Sequence, residues 1–134
     1  MNLFKRISDI IAANLGELAD EFEDPELMQF VNDFRIPLEV CLTSNVQTGA
    51  VGSYAVHPVR RYFDEGVRVC LCTDNRLMSG VTLTREYEHA RDELGFSSQE
   101  LTEIARTGFE EAFVGDDESA ALLGAFDEDV ARLS

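Results

Sequence analysis

Apolar positions recur at helical spacing from Leu3 to Phe22. Leu3, Phe4, Ile7, Ile10, Ile11, Leu15, Leu18 and Phe22 form one stripe, with Asp9, Asn14, Glu17 and Glu21 off it. The pattern predicts an amphipathic helix with Asn2 as its N-cap. Asp24-Pro25-Glu26 starts a second helix, with Asp in the capping position and Pro at the first helical residue. Leu27, Met28, Phe30, Val31 and Phe34 make its expected buried side. The pattern then changes. Ile36 to Leu42 and Val67 to Thr73 are short apolar runs that read as strands buried on both faces. Thr43-Ser44-Asn45 ends the first, and Val46 to Tyr54 reads as a glycine-containing loop. His57-Pro58 opens a short helix through Phe63, with Gly66 as its C-cap. Strand, helix and strand of these lengths predict a right-handed parallel βαβ unit.

The remainder is helical in pattern. Leu83 to Leu94 stops at Gly95. Ser97-Ser98-Gln99-Glu100 is a capping box, and its helix runs to about Phe113 with Leu101, Ile104, Phe109 and Phe113 on the apolar side. Asp116-Asp117 caps a last helix to about Leu133. The expected class is therefore helix-rich α/β with two parallel strands. Strands that are apolar on both faces need neighbours. Other segments supply them, another chain does, or the isolated chain is marginally folded.

At 134 residues the chain has the size of one domain. Its formal net charge of −15 excludes nucleic acid, because phosphate binding needs lysine and arginine clusters. Cys41, Cys70 and Cys72 lie in strand-like runs and cannot all pair with one another, so buried, reduced thiols and a cytoplasmic location are expected. Cys70-Leu-Cys72 places two thiols on one strand face, but no second Cys or His pair is visible to complete four metal ligands. No apolar run approaches the roughly 18 residues of a membrane span. The N-terminal stretch is amphipathic, which predicts no secretory signal.

The candidate chemistry gathers at the end of the second strand. Asp74 ends an apolar, β-branched run, where a carboxylate could ligate a divalent metal, accept a substrate hydrogen bond or cap the following turn. The two histidines form no zinc spacing. His57 precedes a helical proline and reads as an N-terminal turn residue, and His89 reads as part of a solvated helix face. Thr43, Ser44 and Asn45 sit where the first strand ends. They could hydrogen-bond across a barrel mouth or make an ordinary turn. There is no glycine-rich phosphate loop and no nucleophile elbow, so the residues alone give no complete catalytic constellation.

From about Phe22 onward the sequence resembles the C-terminal part of the zinc-dependent adenosine deaminases, which are (β/α)-barrel hydrolases. The runs that carry the resemblance are Glu23-Asp-Pro-Glu-Leu27, Ile36-Pro-Leu-Glu-Val-Cys-Leu-Thr-Ser-Asn-Val-Gln-Thr-Gly-Ala-Val51, His57-Pro58, Gly66-Val-Arg-Val69 and Thr73-Asp-Asn-Arg-Leu-Met-Ser-Gly-Val-Thr-Leu-Thr84. The resemblance implies a partial TIM-barrel fragment holding the last two parallel strands and their flanking helices. It implies that Asp74 is the aspartate zinc ligand. Asn75 stands where many members carry a second aspartate that contacts the purine. Cys72 replaces a residue that is often Asn. The family's histidine ligands, its proton-shuttling glutamate and its water-orienting histidine have no counterpart in these residues. Residues 1–26 in turn resemble the N-terminus of phage-shock protein A, whose helix lies on membrane surfaces, so the chain reads as a junction of two families at Glu23-Asp-Pro-Glu26.

The expected organisation is an amphipathic helix over residues 1–22 and a deaminase-like barrel fragment over 23–134. The expected function is purine nucleoside deamination by descent, adenosine to inosine, with the chain inactive alone and zinc not tightly held by it. Self-association or a complementing barrel fragment is the expected partner. The alternative is a non-catalytic module that docks on a membrane or a partner through residues 3–22. Acidic residues along that helix weaken the membrane version.

Overall fold

The computed structural model describes residues 25–133. The amphipathic stretch Leu3 to Phe22 and its cap lie outside the described residues. The elements, in chain order, are α1 (Pro25–Asp33), β1 (Leu38–Val40), α2 (Leu42–Gln47), a 3₁₀ turn (Tyr54–Val56), α3 (Val59–Asp64), β2 (Val69–Leu71), α4 (Arg76–Ser79), α5 (Leu83–Leu94), α6 (Ser98–Glu110) and α7 (Asp116–Leu133).

The two strands pair in parallel, with Leu38 against Val69, Glu39 against Cys70 and Val40 against Leu71. Among the described residues they form a two-stranded sheet, so each strand is paired on one edge only. One core cluster surrounds them. Leu27 and Val31 of α1, Val59 and Tyr62 of α3, Ala90 of α5, Phe96 of the α5–α6 connection and Ile104 of α6 pack against Val40, Val69 and Leu71. Helix α6 lies along β2, closely enough that a Cβ added at Gly108 would sit 3.6 Å from the Cys70 Cβ.

Local signals place the later helices where the sequence predicts them. The Thr82 hydroxyl accepts from Arg85 N–H at the start of α5, and Gly95 ends that helix at φ +70°, a left-handed backbone that glycine adopts at little cost. Ser97 and Glu100 form the reciprocal capping box of α6. Arg60 of α3 ties this cap to the rest: its guanidinium donates to Glu100 (2.8 Å) and lies 4.2 Å from the centre of the Phe96 ring.

Several boundaries differ from expectation. The strands are shorter than their apolar runs, and Thr43, Ser44 and Asn45 belong to helix α2 rather than to a turn. Helix α1 ends at Asp33, and Arg35 follows with left-handed backbone (φ +51°). Phe34 is therefore exposed, its ring resting on Phe30 at 4.4 Å rather than in the core. Phe113 lies past the end of α6 and is fully exposed, whereas Phe109 packs on Phe126 of α7 at 5.0 Å. Among the described residues no helix is long and apolar enough to cross a membrane.

The core makes a ranked stability prediction. Ile104 is almost wholly buried in the core cluster, on the helix that packs along β2, so Ile104→Ala should cost about 3 kcal/mol. Ser97→Ala, which removes one cap, should cost about 1 kcal/mol. Urea unfolding of both variants checks the order; equal losses would contradict this packing.

Candidate functional site

Asp74 follows β2 by three residues and is exposed, at the carboxyl end of the strand. Its backbone is left-handed (φ +52°), a conformation that aspartate tolerates better than most residues and that costs local strain. The Ser44 hydroxyl donates to Asp74 Oδ2 at 2.8 Å. Ser44 therefore does bond across the ends of the two strands, and it orients the carboxylate. Asn75 has a different task. It N-caps α4, its Oδ1 accepting from the N–H groups of Leu77 and Met78, both at 3.1 Å. That leaves its Nδ2 as the group that could donate outward.

Two buried polar residues hold this rim in place. Glu86 of α5 is fully buried, and both its carboxylate oxygens accept from the Thr43 N–H (3.3 and 3.2 Å) at the start of α2. A carboxylate at a helix N-terminus meets unpaired amide donors and the positive end of the helix dipole. Nothing in the residue pattern signals this role, because Glu86 sits among charged helix residues and its partner lies 43 positions away.

His57 is the second. It occupies the N-terminal turn of α3 as expected, where its Nδ1 accepts from Val59 N–H (3.1 Å), but it is also buried. The neutral ring then carries its proton on Nε2, which faces the Asn45 amide 2.9 Å away, and that amide must turn its oxygen there to accept it. Burial pushes the imidazole down to about 4. His89 is not on a solvated face: it is half-buried and stacks on Tyr54 at 4.1 Å, and the Tyr54 hydroxyl donates to Thr43 Oγ1 (3.2 Å).

The three cysteines come together. Of these free thiols Cys70 is buried, while Cys41 and Cys72 are half-buried, less enclosed than their apolar runs predict. Cys72 accepts from the thiols of Cys41 and Cys70, which holds its own pKa well down. Donation to Cys72, followed by burial, pushes Cys41 and Cys70 up. Tyr87 of α5 is pushed up to about 12, first by burial and then by the charges of Cys70 and Cys72.

A cleft of about 530 Å³ opens beside the Asp74 rim, lined by Leu71, Cys72, Thr73, Arg76, Thr82, Leu83 and Thr84. That volume suits a small ligand. Another cleft, of about 420 Å³, lies at the amino end of β2, away from Asp74. Its Arg68 is paired with Glu110 and Glu111, and its Arg106 with Glu110 and Asp127.

Parallel strands backed by helices, with a polar rim at their carboxyl ends, have the arrangement of a (β/α)-barrel fragment. The adenosine deaminase family profile matches residues 5–129, and the chain belongs to that family. It is 37% identical over 121 residues to the adenosine deaminase of Aliivibrio fischeri, covering 90% of this chain and 36% of the relative. It is 37% identical over 122 residues to that of Vibrio cholerae, covering 91% and 36%. The adenine deaminase of Arthrobacter aurescens superimposes with a TM-score of 0.77 at 30% identity, over 82% of this chain and 34% of that one. The N6-methyl-AMP deaminase of Arabidopsis thaliana gives 0.71 at 31% identity, over 78% and 31%. The chain thus spans about a third of the length of the relatives it matches. The profile match begins at residue 5, inside the segment that resembles phage-shock protein A. The deaminase likeness therefore reaches further toward the N-terminus than the motifs showed, and the second resemblance has no support in these comparisons.

Burial of His57 makes a pH prediction. Its folded pKa, about 4, lies below the ordinary 6.5, so the unfolded chain binds the extra proton between these values. The contribution is complete above pH 6.5 and declines as pH falls toward 4, by about 3 kcal/mol in all. His57→Gln should remove that slope in urea unfolding across this range; an unchanged slope would place its origin elsewhere. Glu86→Ala leaves the Thr43 N–H buried without a partner and should cost about 3 kcal/mol, against about 1 for Glu86→Gln.

Proposed function

We propose that this chain serves the hydrolytic deamination of a purine nucleoside, adenosine to inosine, as one segment of a deaminase barrel. The observation that carries this reading is the Asp74 carboxylate, presented past the carboxyl end of β2 and oriented by Ser44, in a chain of the adenosine deaminase family. In this reading Asp74 occupies a metal-ligand position. Asn75, whose Oδ1 is spent on the cap of α4, turns its Nδ2 toward the purine as a donor. As an amide it cannot act as the carboxylate that many relatives of the resembling family carry there.

Zinc, which the family resemblance implies, does not fit the residues around Asp74 taken alone. Among the described residues no set of three metal-ligating side chains includes Asp74. One carboxylate does not hold zinc tightly, since catalytic sites take about three protein ligands. The role of these 134 residues is to place one ligand and shape one wall of the site. Among the described residues β1 and β2 are each paired on one edge only, which favours a complement, either a second copy or a separate barrel segment, because such edges pair readily with added strands.

The purified 134-residue chain should convert no adenosine to inosine with zinc added. Measurable turnover that Asp74→Ala abolishes would overturn the reading of inactivity alone. Light scattering after size exclusion should find a species larger than the 15.0 kDa monomer. A monomer with one cooperative melt would argue against any need for a complement.

A further inference from the structure

We propose that Glu39, Cys41, Cys70 and Cys72 form a binding site for a single soft divalent cation of the zinc type, separate from the Asp74 position. The parallel register sets Glu39 of β1 beside Cys70 of β2. Continued two residues along, it sets Cys41 beside Cys72. Alternate residues of a strand share a face, so all four side chains project to one side of the sheet.

The distances agree with this placement. The ligand atoms of Glu39, Cys70 and Cys72 all lie within 4.8 Å of one another. Cys41 stands beside Cys72 in the continued register and lies outside that group of three, so its thiol has to turn toward them to supply the fourth donor. Zinc–sulfur bonds of about 2.3 Å in a tetrahedron put neighbouring sulfurs just under about 4 Å apart, so closure of Glu39, Cys70 and Cys72 on an ion asks for a contraction of about 1 Å or less. Three thiolates and one carboxylate carry the same formal charge as a four-cysteine site. Thiolates select zinc and its cobalt and cadmium surrogates over magnesium or calcium.

The surroundings suit an ion as well. Cys70 is buried at the floor while Glu39 is exposed, which leaves an entry from solvent. The sheet fixes all four backbone positions, so little ordering remains when the ion binds. This site does not rest on the deaminase reading.

The test is titration of the full, reduced chain with Co²⁺, followed by Zn²⁺. Expected is near-ultraviolet thiolate-to-cobalt charge-transfer absorption that saturates at a single Co²⁺ per chain and is displaced by Zn²⁺. Cys72→Ser should weaken binding on the order of a hundredfold. Asp74→Ala should leave absorption and affinity unchanged. Absence of the band in reduced protein, an unchanged band in Cys72→Ser, or its loss in Asp74→Ala would each overturn the proposal. Should far-ultraviolet circular dichroism show Cys72→Ser unfolded, Cys41→Ser at the half-buried thiol is held to the same loss. The adenosine assay does not enter these outcomes, so failure here leaves the deaminase reading as it stands.

Discussion

The parallel pairing of β1 with β2 is the constraint from which the remaining geometry follows. Two parallel strands have every side chain on one of two faces, and a slip of one residue would exchange those faces. With Leu38 against Val69 and Val40 against Leu71, the residues of one face join α1, α3 and α5 in an apolar cluster, while α6 lies along β2 close enough to approach Cys70 at Gly108. The other face then receives Glu39, Cys70, Cys72 and, beyond the paired residues, Cys41. The same register brings the segments after both strands side by side, which lets the Ser44 hydroxyl reach Asp74. Rim, thiol group and core are consequences of one pairing.

Such a short sheet needs support from outside itself, and the buried polar contacts provide it. Glu86 binds the first free amide of α2 from helix α5, so the start of α2 is fixed by an element that packs over the strands. His57 and Asn45 join the entrance of α3 to the interior of α2. Tyr54, stacked on His89 and bonded to Thr43, closes the same region from the 3₁₀ turn. These groups converge on α2, the helix that carries Ser44. A rim that must present a strained Asp74 is thus braced from three directions, which is the expected cost of holding a left-handed non-glycine residue in place.

Membership of the adenosine deaminase family and the content of these 134 residues pull in different directions. The family match extends over residues 5–129, yet the chain spans about a third of its relatives. What the described residues hold is a parallel strand pair with one carboxylate oriented past the end of β2. The metal-ligating side chains that do cluster among the described residues are Glu39, Cys70 and Cys72, a set that does not include Asp74. The chemistry of the rim and the chemistry of the strands are therefore distinct, and each has its own observable.

Local physics made much of this legible in the sequence. Caps act within a few residues, so Gly95, Ser97 and Glu100 marked the end of α5 and the start of α6 correctly. The apolar runs located both strands, and the Asp74 run pointed to the family. Tertiary structure decided the rest, because those contacts join residues far apart in the chain. It shortened the strands and drew Thr43 to Asn45 into a helix. It left Phe34 and Phe113 in solvent, buried His57 and Glu86, and gave Asn75 a capping task. Above all it set Cys41 beside Cys72. Spacing along the sequence could not show that contact, since register is fixed by pairing and by the helices packed over it.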